Sequence, residues 1–158
     1  MVLDRDKELK ANFASKMGHL SIFMISQAGH LMVRQANREL SRLGFALQME
    51  QLPILFITYF ADTDLLSQQE IANALQKDKS GVQRSLRTLE RDGYLRIVAD
   101  SADRRKNLIQ LTPAGKLVVD KAIETAGEIN KRLTDQLTTE ELDAFQVTLR
   151  KIISLFDQ

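Results

Sequence analysis

The chain has 158 residues, 44% hydrophobic and 27% charged, with no cysteine and a formal net charge of +1, a composition that fits one ordinary globular domain, or one domain with an oligomerisation extension. The missing cysteine excludes disulfides, a thiol switch and Cys-ligated metal. No apolar run approaches the ~20 residues of a spanning helix and the N-terminus carries no apolar signal core, so the expected compartment is the cytoplasm.

Residues 1–10 are mostly charged and are expected to be frayed or loosely helical. From about Phe13 to Leu43 there is no proline, and Phe13, Met17, Leu20, Met24, Ala28 and Leu31 recur at three- and four-residue steps, which predicts one long helix. Phe23, Ile25, Met32, Val33 and Ala36 widen its apolar surface beyond one stripe. In so small a protein that excess points to a partner subunit. Gly44 is a natural stop. A second helix is predicted from about Met49 to Ala61, packing through Leu52, Leu55, Phe56, Tyr59 and Phe60. Its Pro53 is tolerated only near the first turn, where the missing N–H costs little. Asp62-Thr63-Asp64 is a polar break.

Ser67 and Glu70 have the S-x-x-E spacing of a capping box, which starts a short third helix with Ile71, Ala72 and Leu75 turned inward. Gln76-Lys77 makes a turn, and Asp78 is placed to cap a fourth helix that ends at Gly93. Val82, Leu86 and Leu89 share one face of it; the other carries Ser80, Gln83, Arg84, Arg87 and Arg91, with Lys79 in the first turn. These side chains have the reach and hydrogen-bonding capacity to meet base edges and phosphates. Leu95/Ile97 and Ile109/Leu111 then show the two-residue period of a half-buried hairpin. Its polar turn contains Asp103-Arg104-Arg105-Lys106. An arginine at such a tip can enter a narrow minor groove, and Asp103 can hold one arginine extended through a charge-assisted hydrogen bond. Helix, turn, helix and hairpin together read as a winged DNA-binding module. The charge distribution agrees: residues 76–106 hold nine basic groups against five acidic ones, a local +4, while the remainder of the chain sums to −3. A locally basic face is what counterion release from DNA requires.

Thr112-Pro113 restarts a helix as N-cap and first position, with Val118, Ala122, Ala126, Ile129, Leu133 and Leu137 as its apolar positions. Thr138 and Glu141 form a second capping box. The last helix then sets Leu142, Phe145, Leu149, Ile152 and Phe156 in a coiled-coil-like seam.

Two rival classes compete with this reading. An enzyme lacks support: there is no G-x-S-x-G, no Gly-rich phosphate loop and no Cys nucleophile. His19 and His30 stand eleven residues apart on the first predicted helix, hence on one face but roughly 16 Å apart along it, and cannot share a metal within one chain. A metal-responsive regulator would have to borrow carboxylates from other helices, and no cofactor or metal is assigned. A winged-helix module for protein interaction without DNA is the other rival, although the basic groups a DNA reader needs, Arg84, Arg87 and Arg105, are all present.

The order of elements, with Gln69-Glu70-Ile71-Ala72, Asp78-Lys79-Ser80-Gly81-Val82, Leu89-Glu90-Arg91-Asp92-Gly93-Tyr94-Leu95, Asp103-Arg104-Arg105 and Leu111-Thr112-Pro113-Ala114-Gly115, resembles the MarR family of bacterial winged helix-turn-helix transcription regulators. The resemblance implies a mainly α (α+β) fold. Residues 1–46 and 113–158 would form a helical dimerisation region, and 47–112 the DNA-binding lobe of one intertwined subunit. It implies a homodimer reading a pseudo-palindromic operator, with a repressor role. The major-groove residues would be Lys79, Ser80, Gln83, Arg84 and Arg87. The wing would contribute Arg105 oriented by Asp103, with Arg104 on the backbone and Lys106 beside them. At Gly81 many relatives carry a larger residue, so readout would lean on Ser80, Gln83 and Arg84. Many members respond to small aromatic or amphipathic compounds held between the dimer helices and the lobe. Phe23, Phe56, Tyr59 and Phe60 are the corresponding candidates, with ordinary core packing as the competing reading of each.

Overall fold

The computed structural model describes residues 2–61, 65–101, 103 and 106–156. They group into two compact units, the first ending at Pro53 and the second beginning at Ile54, and each is described by itself.

The first unit contains α1 (Val2–Met17), α2 (Ser21–Arg42) and a single 3₁₀ turn, Met49–Gln51, that leads into α3 (Leu52–Phe60). The charged first residues take the helical of the two expected forms, within α1, while one expectation is corrected: the single helix expected over 13–43 is two helices, broken at 18–20. Gly18 weakens the helix where it stands, and Leu20 takes an extended backbone as the N-cap of α2. His19 therefore lies in the break and His30 on α2, so the two do not share one helix. Among the described residues, no group of three metal-ligating side chains comes together. At the other end of α2 the expected stop at Gly44 holds. Gly44 N–H bonds the Ser41 carbonyl and Phe45 N–H the Leu40 carbonyl, a Schellman turn with Gly44 at φ 82°. The helix expected from about Met49 begins there, the Gln48 and Gln51 side chains capping it reciprocally. Pro53 sits second in α3, near the start of the helical segment, where its missing N–H costs little.

The second unit continues α3 and adds β1 (Leu66–Ser67), α4 (Gln68–Ala74), α5 (Lys79–Arg91), β2 (Leu95–Ala99), β3 (Asn107–Leu111), α6 (Pro113–Thr134) and α7 (Thr139–Phe156). The capping box at Ser67 forms as expected: its hydroxyl accepts from Glu70 N–H at 3.3 Å while Glu70 accepts from Ser67 N–H at 2.8 Å. The strands make an antiparallel sheet in the order β1-β3-β2. Leu95 stands opposite Leu111 and Ile97 opposite Ile109, which delivers the predicted inward set. β1 has no counterpart in the sequence reading; two residues are too short to display a period. The unit's buried apolar side chains include Leu55, Ile71, Val82, Leu86, Leu89, Leu95, Ile109, Val118 and Val119, so helix-turn-helix, wing and the start of α6 each contribute to its interior. The expected seam on α7 is only half-buried at Leu142, Leu149 and Ile152, while Phe145 and Phe156 are exposed.

Candidate nucleic-acid interface

The helix-turn-helix is built from local chemistry. α4 ends in a Schellman turn in which Gln76 N–H bonds the Asn73 carbonyl and Lys77 N–H the Ala72 carbonyl. Its left-handed position is held by Gln76, at φ 50°, rather than by a glycine. Asp78 then caps α5, its carboxylate accepting from Gly81 N–H at 2.7 Å. A side chain at Gly81 would crowd that cap, since its Cβ would lie 2.8 Å from Asp78 Oδ2. The Gln68 side chain donates to the Lys79 carbonyl and ties the first residues of α4 and α5 together.

Val82, Leu86 and Leu89 of α5 are buried, and Lys79, Ser80, Gln83, Arg84 and Arg87 are all exposed. At 3.6 residues per turn, Ser80, Gln83, Arg84 and Arg87 fall within an arc of about 100° directly away from the buried face. They form a continuous polar and cationic surface. Arg91 lies on the same arc, but its guanidinium makes a two-point pair with Asp92, at 2.9 and 3.3 Å. The neighbouring carboxylate partly offsets this cation, whose side chain is still 72% exposed.

α5 closes with a third Schellman turn. Gly93, at φ 81°, bonds the Glu90 carbonyl, and the buried Tyr94 bonds the Leu89 carbonyl. The base of the wing is stapled to α6 through Thr112, whose hydroxyl donates to the Gly93 carbonyl at 2.6 Å and accepts from Gly115 N–H at 3.1 Å. Thr112 N–H meanwhile bonds the Tyr94 carbonyl. In the turn of the wing, Asp100 N–H bonds the Lys106 carbonyl and Lys106 N–H the Asp103 carbonyl. Asp103 and Lys106 are exposed. Arg104 and Arg105 lie outside the described residues, and so does the expected Asp103–Arg105 contact.

Electrostatics links wing and helix-turn-helix. Hydrogen bonds from Ser67 hold the Glu70 carboxyl below the ordinary glutamate value near 4.5, with a smaller contribution from the positive charge of Lys106. The folded value is the lower one, so the stabilisation is complete above the ordinary value and is lost as pH falls through the lowered one. The difference in melting temperature between the wild type and Glu70→Gln is therefore expected to be largest near neutrality and to shrink as acid protonates Glu70. A pH-independent difference would show that its charge plays no part in the cap.

Of the four aromatic candidates for a ligand site, Phe23 belongs to the first unit and Phe56, Tyr59 and Phe60 to the second. Phe23, on α2, packs edge-to-face on Phe13 of α1 with ring centroids 5.4 Å apart. In the second unit, Phe60 stacks on Phe56 at 6.5 Å and meets Tyr59 edge-on at 5.3 Å, and it is 67% exposed. The Tyr59 hydroxyl donates to Asp120 on α6 at 2.9 Å. That hydrogen bond, with the carboxylate's charge, holds the phenol above the ordinary tyrosine range. Asp120 is not visible in the sequence as Tyr59's partner, because 61 residues separate them.

Comparison with known proteins agrees with this arrangement. The MarR family model matches residues 44–106, from the end of α2 through the turn of the wing. The HTH-type transcriptional repressor NicR of Pseudomonas putida is 28% identical over 130 residues, covering 80% of this chain and 82% of its own. The HTH-type transcriptional regulator PapX of Escherichia coli is 28% identical over 103 residues, and the match spans only 63% of PapX. Among solved structures, Staphylococcus aureus MepR in complex with DNA is 28% identical with a TM-score of 0.75, covering 85% of this chain and 96% of MepR. A mutant MepR from a multidrug-resistant clinical isolate is 30% identical over the same shares, with a TM-score of 0.67. A mutant of Escherichia coli MarR complexed with operator DNA has the same fold, at 22% identity and a TM-score of 0.72. A helix-turn-helix, a wing stapled to the following helix and relatives matching along most of the chain lead to one assignment: this protein belongs to the MarR family of winged helix-turn-helix proteins.

Proposed function

We propose that the protein is a sequence-specific, double-stranded-DNA-binding transcriptional regulator, a repressor in its simplest form, and not an enzyme. The observation that carries this reading is the exposed surface of α5, where Ser80, Gln83, Arg84 and Arg87 stand together opposite the buried Val82, Leu86 and Leu89. Such a helix suits a major groove, whose base edges present donors and acceptors to these side chains. Lys79 and the wing residues Asp103, Arg104, Arg105 and Lys106 complete the proposed contact, with Arg105 in the minor groove. Relatives named as transcriptional regulators, and a MepR structure containing DNA, support it.

The reading includes a homodimer on a pseudo-palindromic site, the two recognition helices about 34 Å apart. Residues 1–46 and 113–158 would supply the dimer contacts and 47–112 the reading lobe. Large exposed apolar side chains support this: Phe13, Ile22, Met24 and Met32 in the first unit, Leu155 and Phe156 in the second. Monomeric soluble proteins rarely leave so much apolar surface to water. No helix among the described residues is long and apolar enough to cross a membrane, which suits the proposed cytoplasmic, nucleoid-bound protein. Release by a small aromatic or amphipathic ligand, with Phe23, Phe56, Tyr59 and Phe60 as candidate contacts, belongs to the same proposal.

The test is binding to duplex DNA as a function of salt, followed by selection of bound sites from a random duplex pool. Affinity should fall steeply and linearly in log–log form, and the selected sites should show two inverted half-sites. Absence of binding at low salt would leave only the protein-interaction module. Within the selected site, Gln83→Ala should relax preference at one or two base pairs, by roughly 1–3 kcal/mol for a bidentate contact. An unchanged sequence preference would move the readout to another face.

A further inference from the structure

β2 is an edge strand of the sheet. Asp100 N–H bonds the Lys106 carbonyl and Thr112 N–H bonds the Tyr94 carbonyl, one at each end of the hairpin. Backbone bonding in an antiparallel pair alternates along the strand. Arg96 and Val98 therefore turn their N–H and C=O toward β3, and Leu95, Ile97 and Ala99 turn theirs outward. The outward N–H of Ile97 is nevertheless occupied. The Glu90 carboxylate, from the last turn of α5, accepts it at 2.9 Å.

This one bond joins the end of α5 to the middle of the wing strand, across the turn at Gly93. Besides the apolar packing of the shared interior, the joint between α5 and β2 has the Schellman turn and the Thr112 staple, both at the base of the hairpin. A bond at Ile97 acts further out along the strand, where it resists tilting of the hairpin relative to the helix. The bond is charge-assisted, the stronger class. Glu90 is exposed and stands beside a cationic surface, where its charge by itself opposes an approaching polyanion. A role through charge and a role through geometry thus predict opposite effects on DNA binding.

We propose that Glu90 is a positioning residue: by holding Ile97 N–H it sets the pitch of the wing against α5, so that wing and helix engage one duplex together. The proposal rests on the reading of the module as a DNA reader. The same bond also covers part of an exposed strand edge that could otherwise pair with another chain.

The test compares the full-length wild type with Glu90→Gln, which keeps a neutral acceptor of the same reach, and Glu90→Ala, which has none. Three readouts are taken at a temperature where all are folded: amide exchange of Ile97, affinity for the selected duplex, and hydroxyl-radical protection of the minor groove flanking the bases under α5. In Glu90→Ala the Ile97 amide should exchange about tenfold faster and affinity should fall about tenfold, the scale of one lost charge-assisted hydrogen bond. Flank protection should be lost while protection under α5 persists. Glu90→Gln should stay within about twofold of wild type. Tighter binding by both variants alike would overturn the proposal in favour of simple repulsion. Unchanged flank protection in Glu90→Ala would overturn it in favour of a purely structural bond. A wild type that binds no duplex would overturn the reading of the module itself, an outcome distinct from a wild type that binds and whose alanine variant keeps its flanks.

Discussion

Replacing Gly115 by alanine is expected to destabilise the protein by about 3 kcal/mol, at the upper end of what a misplaced methyl does in a packed interior. The Cβ would run into the carbonyl oxygen of Tyr94, with Leu111 Cδ2 only 3.1 Å away on another side. That oxygen belongs to the backbone and already accepts from Thr112 N–H at 3.1 Å, so it cannot withdraw without opening the base of the hairpin. The effect is steric, since Gly115 is not among the positive-φ residues. Gly127, on the same helix, has nothing within 4 Å of its Cβ position and is exposed. There alanine should stabilise by about 0.5–1 kcal/mol, through helix propensity alone. Chemical denaturation of the two variants would show shifts of opposite sign. Equal and small shifts would mean that α6 does not lie against Tyr94 as described. A destabilising Gly127→Ala would indicate that a partner chain covers that face.

The second large effect is on binding rather than stability. The double substitution Arg84→Ala with Arg87→Ala should raise Kd about a hundredfold, roughly 2.8 kcal/mol at 1.4 kcal/mol per tenfold. It should also lower the slope of log affinity against log salt, by about 0.9 if only Arg87 meets a phosphate and by about 1.8 if both do. Both side chains are exposed, so the melting temperature should hardly move, as is usual for surface substitutions. Arg91→Ala is the internal control. Its guanidinium is held by Asp92, and its removal should change affinity and slope far less. Titrations of the three proteins at several salt concentrations decide the matter. Equal losses from Arg91 and from the Arg84/Arg87 pair would remove the distinction between an unpaired cation and one paired with a neighbouring carboxylate. An unchanged salt slope in the double variant would remove α5 from the phosphate contact altogether.

How much of this is legible in the sequence follows the range of each interaction. The Ser67/Glu70 and Thr138/Glu141 boxes, the Asp78 and Thr112 caps and the stops at Gly44 and Gly93 each involve partners within a few residues along the chain, so composition and spacing reveal them. The exposed face of α5 is equally local, because 3.6-residue periodicity separates Val82, Leu86 and Leu89 from Ser80, Gln83, Arg84 and Arg87. The break at 18–20 escapes the pattern because apolar steps continue through it, and periodicity cannot register one extended residue between two helices.

By itself, then, the sequence determined most of the elements after Gly44, many of their caps and the cationic surface of the second helix of the helix-turn-helix, since these follow from side-chain chemistry and helical or strand period. Only the tertiary structure decided which groups remain available and which are spent. Asp92 takes Arg91, Asp120 takes the Tyr59 hydroxyl, and Glu90 takes the outward N–H of Ile97. Gly115 must lack a side chain because the Tyr94 carbonyl arrives against it, although the whole wing separates the two along the chain. The physical reason is common to all four: each depends on rotamer choice or on the path of a distant backbone. Neither leaves a periodic trace in the order of residues.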